Sequence, residues 1–260
     1  MGDAWEPSQY ERFKDERAAP FYDLLSLLQP AAGGEVVDLG CGTGELTLVL
    51  HERLAAQRTV GIDSSEEMLK RAAELNAAGV MFREGDIGTF SEPESWDVVA
   101  ANASLQWVPD HPAVLARWAA SLRPGGELAV QVPANVDHPA HLLAAEVAES
   151  AEFIDAFEGS PPPDTVHNVL KPEAYAELLE QLGFGAQHVR LQVYPHRLAS
   201  TADVVEWVKG TSLTRFKKVL HEETYDRFVD VYRHRLVAEL GARRPYFYAF
   251  KRILIWGRLA

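Results

Sequence analysis

Short apolar runs alternate with helical hydrophobic periodicity through the first half of the chain. Residues 36–39 are largely apolar, as in a strand buried on both faces, and a helical pattern begins near Leu46. Further strands are predicted at about 58–62, 80–83, 96–101 and 127–132, with helices at 66–77 and 112–122. This alternation predicts an α/β fold with a parallel sheet and helices on both faces.

The alternation ends after residue 132. Helices are predicted at about 141–157, 172–182 and 201–240, strands at 189–194 and 247–257, and an N-terminal helix at 7–28, in which a second helix begins near Pro20. We interpret residues 1–260 as one domain. Its core is expected at about 30–133, 172–198 and 246–260, with a lid helix at 7–28 and helical cap segments at about 134–171 and 199–245.

Three glycines at alternate positions, Gly40, Gly42 and Gly44, connect the first strand to its helix. Glycine permits positive φ and lets a ligand approach the backbone closely. Dinucleotide enzymes place a pyrophosphate on such a turn, but their spacing is G-x-G-x-x-G. Asp38, just before the turn, would repel a pyrophosphate and attract an ammonium group. A nucleoside carrying an amino acid therefore fits better, although a tight turn that only packs helix on strand stays open.

Polar residues also follow the next predicted strands. Asp63 ends the second strand, where an acidic residue can accept from both ribose hydroxyls, and Ser64 or Ser65 can cap the following helix. Asp86 follows the third strand and either accepts from an exocyclic amine or only forms a turn. Asn102 follows the fourth strand. In open α/β sheets ligands bind at these carboxyl ends.

Composition narrows the class of protein. The net charge of −13 argues against binding to nucleic acid or to an anionic membrane surface, and 47% hydrophobic with 24% charged residues is ordinary for a soluble protein. No apolar run approaches a membrane span, and no signal-peptide pattern opens the chain. The single cysteine, Cys41, allows no internal disulfide and no cysteine-based metal site. It is interpreted as packing under the glycine turn, with a catalytic thiol as the alternative. We expect a cytoplasmic protein.

Several motifs together resemble class I S-adenosylmethionine-dependent methyltransferases: VVDLGCGTG, GID, GDI, and RPGG before an apolar strand. That resemblance implies a Rossmann-like, seven-stranded, mostly parallel sheet whose last strand is antiparallel. WEPSQYERFKDER, IDSSEEML, ANASLQWVPDH and VVEWVKGT are similar to the trans-aconitate 2-methyltransferases. Those enzymes form a monomethyl ester on a carboxylate of trans-aconitate. The resemblance thus implies S-adenosyl-L-methionine as cofactor and a small carboxylic acid as substrate, in a monomer or homodimer.

Two departures from that family concern the substrate. The chain has Pro133-Ala134-Asn135 where the family usually reads PDN, and it has Ser212-Leu213-Thr214-Arg215-Phe216 where the family usually reads GLRP. An arginine expected to meet a substrate carboxylate is therefore missing, or shifted by one residue to Arg215. Such a shift rotates a helical side chain by about 100°.

The resemblance implies cofactor contacts from the strand ends and the N-terminal helix, with the methionine end at Asp38 and the glycine turn. These residues are Tyr10, Phe13, Asp38, Gly40, Gly42, Gly44, Asp63, Ser64, Met68, Asp86, Ile87, Asn102 and Ala103. Candidate substrate contacts are arginines and neutral donors. They are Gln106, Trp107, Asn135, His141, His196, Trp207, Thr211, Arg215 and Arg252.

Each candidate has a structural alternative. Tyr10, Phe13, Trp107 and Trp207 are also typical core residues, His141 is placed to cap a helix, and the bases at 209–218 suit a solvated helix face. A carboxylate is already ionised at pH 7, so we expect no general base and no metal. One alternative is methylation of another acid, an amine or a phenol. An amine or a phenol would need a base, for which His141 or His196 is the candidate. A cofactor-binding protein without catalysis is another.

Overall fold

In the computed structural model, which describes residues 14–75 and 77–260, the strands form a seven-stranded sheet of order β3-β2-β1-β4-β5-β7-β6. The strands are β1 Glu35–Leu39, β2 Arg58–Asp63, β3 Val80–Glu84, β4 Trp96–Asn102, β5 Leu122–Pro133, β6 Phe184–Leu198 and β7 Tyr246–Leu259. Strands β1 to β5 pair in parallel, whereas β7 runs antiparallel to β5. The predicted Rossmann-like sheet with an antiparallel last strand is confirmed.

The helices of the described residues follow the strands in the predicted alternation and then cluster in the second half. They are α1 Lys14–Leu25, α2 Glu45–Leu54, α3 Glu66–Ala72, α4 His111–Ala120, α5 Pro139–Ala148, α6 Pro172–Gln181, α7 Asp203–Lys209, α8 Thr214–Lys217 and α9 Glu222–Leu240. None of them is both long and apolar enough to cross a membrane.

Strand β1 lies in the middle of the sheet and is buried on both faces. Val37 and Leu39 belong to one hydrophobic core, with residues of α4 and α6 such as Trp118 and Tyr175. Val36 belongs to another core, with α1 and α2 residues such as Leu24. Because successive side chains of a strand point to opposite faces, helices cover both sides of the sheet. The carboxyl end of β1 is thereby fixed from both sides.

The chain divides into two units. The sheet unit comprises Ala18–Ala134, Asn168–Gln192 and Arg252–Ala260, and the helical unit includes Asn135–His167 and Val193–Lys251. The helical unit has its own aromatic core, in which Phe228 of α9 packs against Phe153, Phe157 and Phe216.

Several element ends differ from the predictions. α1 continues through Pro20, where a second helix was predicted, and α3 ends at Ala72 rather than near residue 77. β5 starts at Leu122 and includes the Arg123-Pro124-Gly125-Gly126 turn. The helix predicted at 141–157 is α5, Pro139–Ala148, followed by a separate 3-10 turn at Ile154–Phe157. Periodicity indicates that an element exists, but hydrogen bonds at its ends decide its length.

Candidate functional site

The glycine turn after β1 has a left-handed backbone at all three glycines. The φ angles are 83° at Gly40, 56° at Gly42 and 79° at Gly44. The backbone N–H groups of Gly40 and Cys41 donate to the carbonyl of Ile62 in β2, at 2.7 and 3.0 Å. The turn is therefore attached to the neighbouring strand end, and its shape does not depend on a ligand.

Two of these glycines leave no space for a side chain. A Cβ on Gly40 would lie 2.2 Å from the Cβ of Ser104, whose hydroxyl donates to the carbonyl of Leu39 at 2.6 Å. A Cβ on Gly44 would lie 2.5 Å from the ring of Phe82. By contrast, a Cβ on Gly42 would meet no described atom within 4 Å. Gly42 thus faces open space, as a backbone that approaches a ligand must.

Asp63 joins the glycine turn to the helix after β2. Its two carboxylate oxygens accept from the backbone N–H groups of Gly42 and Ser65, each at 2.9 Å. A carboxylate has about four lone-pair sites, so acceptors remain for two hydroxyl groups. Ser65 caps α3 by accepting from the N–H of Met68 at 3.3 Å, while Ser64 is exposed. Of the two serines proposed as caps, Ser65 is therefore the one used.

Asp38 is a buried carboxylate, 5% exposed, at the end of β1. Burial raises its pKa to about 6, a hydrogen bond from Thr47 at 2.6 Å opposes the shift, and the charge of Asp63 adds to it. A cationic ligand would offset the cost of burying this charge. Burial, together with Asp38 and Asp63, also raises the pKa of the Cys41 thiol. Cys41 therefore stays protonated, which disfavours the catalytic-thiol alternative.

Asp86 forms a turn directly after β3. Its Oδ1 accepts from the N–H of Gly88 at 2.8 Å, and its side chain is exposed. The turn is fixed by α4, because the indole of Trp118 donates to the carbonyl of Ile87 at 3.0 Å. A cavity of about 220 Å³ adjoins the turn. It is lined by Ile62, Arg83, Glu84, Gly85, Asp86, Phe90, Ser91 and Glu92.

Side-chain amides cluster at the carboxyl ends of β4 and β5. Asn102 and Gln131 are paired positions of the two strands, and Ala103, with φ 54°, donates to the carbonyl of Gln131 at 2.9 Å. Gln106 donates to the carbonyl of Ala103 at 2.6 Å, and Trp107, next in the chain, is half-buried. The buried atoms Asn102 Oδ1, Gln106 Oε1 and Gln131 Nε2 have no hydrogen-bond partner among the described residues. They are potential ligand contacts, because buried polar atoms are rarely left unpaired.

Gln131 was missed in the sequence, although a glutamine inside the apolar run ELAVQVP was a usable signal. It is only 1% exposed.

In the helical unit, several candidate substrate residues contact the protein itself. The side-chain amide of Asn135 accepts from the N–H of Lys251 at 2.9 Å and donates to its carbonyl at 3.3 Å. His196 packs against Trp207, with ring centroids 5.0 Å apart and ring planes tilted by 31°. The hydroxyl of Thr211, two residues past the end of α7, lies 3.4 Å from the carbonyl of Trp207 in that helix, to which it donates. The burial of Trp207 fits its alternative as a core residue. In the sheet unit, Arg252 is buried on β7 opposite Pro133.

Arg215 and His141 meet at a carboxylate that the sequence analysis did not single out. Asp164 Oδ2 lies 3.1 Å from His141 Nδ1 and 2.5 Å from Arg215 Nη1. His141 does not cap α5, because the cap is His138, whose Nδ1 accepts from the N–H of Ala140 at 3.1 Å. A lone aspartate beside Pro161-Pro162-Pro163 carries no sequence signal, so only the fold reveals this cluster.

Tyr10 and Phe13, predicted to close the pocket, lie outside the described residues. Within 14–75 and 77–260, no group of three His, Cys, Asp or Glu side chains is arranged to hold a metal ion.

Comparisons with known proteins bear on the family of the whole chain. A sequence family described as a methyltransferase domain matches residues 10–189. A trans-aconitate 2-methyltransferase of Deinococcus radiodurans is 45% identical over 253 residues, covering 96% of each chain. The chain belongs to the trans-aconitate 2-methyltransferase family. The predicted family is thus confirmed.

Two further similarities extend the comparison. The family member of Streptomyces avermitilis is 39% identical, covering 96% of this chain and 95% of its own. The crystal structure of the YcgJ protein of Bacillus subtilis superposes with a TM-score of 0.62 at 16% identity, covering 93% and 98% of the two chains. At that identity the likeness supports the fold alone.

Proposed function

We propose that this protein transfers the methyl group of S-adenosylmethionine to a carboxylate of trans-aconitate, giving a monomethyl ester. The observation that carries the proposal is the identity of 36–45% to trans-aconitate 2-methyltransferases over 84–98% of this chain. The polar groups at the strand ends supply independent physical support.

The strand-end groups of the sheet unit fit S-adenosylmethionine part by part. Asp63 keeps acceptors for the ribose hydroxyls, and Asp38 offers a buried negative charge to the α-ammonium group. Asp86 and Ile87 frame the adenine, and Met68 packs on it. Gly42 presents backbone with no side chain in the way. Asn102 and Ala103 contact the methionine portion, where the unpaired Oδ1 of Asn102 is an acceptor.

The reaction needs neither a general acid nor a general base. The sulfonium of the cofactor supplies a methyl group, which forms a bond to a carboxylate oxygen as its bond to sulfur breaks and a neutral thioether leaves. The attacking carboxylate is ionised at pH 7, so no base is needed. The protein contributes by aligning the oxygen at about 3 Å from the methyl carbon. Neutral amides such as Gln106 and Gln131 can orient a carboxylate without protonating it.

Recognition of the acid requires positive charge in a chain of net charge −13. Arg215 and Arg252 are the buried or largely buried arginines among the candidates, and a guanidinium binds a carboxylate through two parallel hydrogen bonds. We assign Arg252, which belongs to the sheet unit together with the cofactor candidates, to a carboxylate of the acid that is not methylated.

The test is a methyl-transfer screen over trans-aconitate, cis-aconitate, isocitrate and itaconate, with S-adenosylhomocysteine as the readout and the ester located by NMR. Turnover that is fastest with trans-aconitate supports the proposal. Preference for another acid, an amine or a phenol would replace trans-aconitate as the assigned substrate. Cofactor binding without turnover of any of these compounds would indicate a cofactor-binding protein instead.

A further inference from the structure

One face of the sheet changes from apolar to polar toward the carboxyl ends of its central strands. On this face, Val36, Ala100 and Ala129 of β1, β4 and β5 belong to the core that also contains residues of α1 and α2. Because side chains alternate between faces, the residues two positions further along each strand lie on the same face. These residues are Asp38, Asn102 and Gln131. All of them belong to the sheet unit.

Gln131 lies beside Asn102 without bonding to it. The two residues are paired positions of β5 and β4, yet Nε2 of Gln131 and Oδ1 of Asn102 are both buried and have no hydrogen-bond partner among the described residues. The unpaired atoms of Asn102 and Gln106 are carbonyl oxygens, which are acceptors. Nε2 of Gln131 is therefore the one donor among these three unpaired amide atoms, and it calls for an acceptor that the described residues do not supply.

The strand order separates the polar groups by charge. The carboxylates Asp38, Asp63 and Asp86 end or follow β1, β2 and β3, which form one half of the sheet, whereas the amides end or follow β4 and β5 in the other half. The connections change direction between β1 and β4, and ligands of open α/β sheets bind at such a switch point. The carboxylates suit the hydroxyl and ammonium donors of a cofactor. They repel an anion, so an anion fits the amide half better.

Carboxylates enter the proposed reaction from two sources, the α-carboxylate of the cofactor and the carboxylates of the acid. The α-carboxylate shares its carbon atom with the ammonium group assigned to Asp38, so it stays close to β1. Gln131 lies two strands away from β1, which is about 10 Å by strand spacing. A carboxylate of the acid is therefore the better match for the donor of Gln131.

The chemistry of the donor distinguishes between the carboxylates of a polycarboxylic acid. A carboxylate loses its charge as it becomes an ester, so a cation bound to it stabilises the ground state more than the transition state and slows the transfer. A neutral amide N–H holds the oxygen with a smaller penalty. Arg252 lies on the same face as Gln131, since its paired position, Pro133, is two residues after Gln131. Arg252 suits a carboxylate that keeps its charge, and Gln131 suits the carboxylate that is methylated.

We propose that Gln131 binds the carboxylate that is methylated, by donating from Nε2 to the oxygen that does not attack. The other oxygen keeps its lone pairs and forms the bond to the methyl carbon while the bond from that carbon to sulfur breaks. The neutral thioether leaves, and the proton of the amide stays on nitrogen. This inference rests on the proposed function, because it assumes that the substrate is an acid. It adds a residue that determines specificity for an ionised carboxylate.

The test compares the full-length wild type with Gln131→Met, Gln131→Glu and a matched control, Glu127→Gln. Methionine has a similar length but no donor, and glutamate keeps the shape but has no proton to donate when it is ionised. Glu127 lies four residues earlier on β5, is 5% exposed and accepts from Arg258 Nε at 3.1 Å. Steady-state kinetics at saturating cofactor give kcat/KM for trans-aconitate, calorimetry gives cofactor affinity, and thermal unfolding gives Tm.

We expect Gln131→Met to lower kcat/KM for trans-aconitate at least about tenfold, because the attacking oxygen is no longer oriented. Gln131→Glu should lower it at least about 100-fold at neutral pH, because the introduced carboxylate repels the substrate. Cofactor affinity should stay unchanged in Gln131→Met. Glu127→Gln should lower Tm, since it weakens an ion pair, but leave kcat/KM unchanged.

Low pH should partly rescue Gln131→Glu. Burial raises the pKa of the introduced carboxyl group above its usual value of about 4.3. Once protonated, this group is a donor again, so the ratio of kcat/KM in the variant to that in wild type should rise as the pH falls from about 8 to about 5.5. Loss of a purely structural contact would not produce this recovery.

Unchanged kcat/KM in both Gln131 variants would overturn the inference, and so would a ratio that does not respond to pH. A matching loss of cofactor affinity in Gln131→Met would also overturn it, because the amide would then serve the carboxylate of the cofactor. Gln131→Glu keeps the native shape and decides the outcome if Gln131→Met does not fold.

Wild-type turnover is measured first, because the proposed function fails if wild type methylates no acid. Calorimetry of trans-aconitate binding to wild type and to Gln131→Met, with S-adenosylhomocysteine present, then tests the inference separately. Weaker binding to the variant would support the carboxylate contact of Gln131. Equal binding to both proteins, or binding to neither, would overturn it.

Discussion

The polar groups of the two units are held in place by different parts of the chain. In the sheet unit, Asp63 is fixed by two backbone N–H groups, and the glycine turn is fixed by the carbonyl of Ile62. In the helical unit, Asp164 is fixed largely by side chains of His141 and Arg215. Contacts to backbone groups tolerate many side-chain substitutions, but they require glycine and short carboxylates at fixed positions along the chain, and such fixed positions form a motif. Contacts between side chains require no fixed spacing along the chain, so they form no motif.

This difference predicts that cofactor affinity falls most when a side chain is added at a glycine of the turn. We expect Gly40→Ala to have the largest effect, because its Cβ would lie 2.2 Å from Ser104 and its φ is 83°. Strain and overpacking together cost about 2–5 kcal/mol, so cofactor affinity measured by calorimetry should fall about 100-fold, with a lower Tm.

Gly125→Ala is the matched control, since Gly125 has a positive φ of 75°, would place its Cβ near no described atom within 4 Å, and lies in the turn at the start of β5. Its loss of affinity should be at least about tenfold smaller. Equal losses in the two variants would mean that backbone strain alone, not the close approach of Ser104, lowers the affinity.

The second prediction concerns Asp63, which links the turn to α3. Asp63→Ala removes the acceptor for two N–H groups and for the ribose hydroxyls, so cofactor affinity should fall at least about tenfold. Asp86→Ala is the control, since its exposed carboxylate mainly serves its own turn, and it should lose less. Calorimetry that shows unchanged affinity for Asp63→Ala would refute the ribose assignment.

The contrast between the units also explains what the sequence could predict. The parallel sheet, its antiparallel last strand and the cofactor candidates follow from periodicity and from motifs whose residues are neighbours along the chain. Asp63 was predicted as a ribose contact from its position at a strand end. Cys41 and Asp86 were left with alternatives because exposure and hydrogen bonding decide between them, and neither is visible in a sequence.

In the helical unit, the sequence predicted helices but not the contacts of their polar side chains. Asp164 lies 23 residues from His141, and no periodicity relates the two. Asn135 and His196 had suitable chemistry for a substrate site, but the fold gives them Lys251 and Trp207 as neighbours. Which polar residue meets which partner depends on tertiary packing, which one sequence without its fold does not specify.

The third prediction contrasts two carboxylates with opposite pKa shifts. Asp38 has a pKa raised from 3.8 to about 6, so the free protein binds a proton there below pH 6. A cofactor ammonium favours the ionised form. Cofactor affinity should therefore fall as pH drops from 7 to 5, by up to about tenfold per unit below pH 6. Calorimetry against pH checks this, and Asp38→Asn should flatten the profile.

The same shift has a consequence for stability. Since the folded form of Asp38 takes up its proton before the unfolded form does, this group stabilises the free protein as pH falls from about 6 to 3.8. Asp164, with its pKa lowered, acts in the opposite sense: its contribution is present above its ordinary value of 3.8 and is lost only at lower pH. A pH profile of cofactor affinity that is flat in wild type would contradict the burial of Asp38.

The smallest expected effect is at Ser212, a buried residue of the helical unit three positions before Arg215. Its hydroxyl has no hydrogen-bond partner among the described residues. Removing an unpaired buried hydroxyl costs little stability, so Ser212→Ala should leave Tm unchanged or slightly higher. Thermal unfolding of Ser212→Ala beside wild type measures the difference. A clearly lower Tm would contradict the prediction and would show that the hydroxyl serves the fold, as the side chain of Asn135 does.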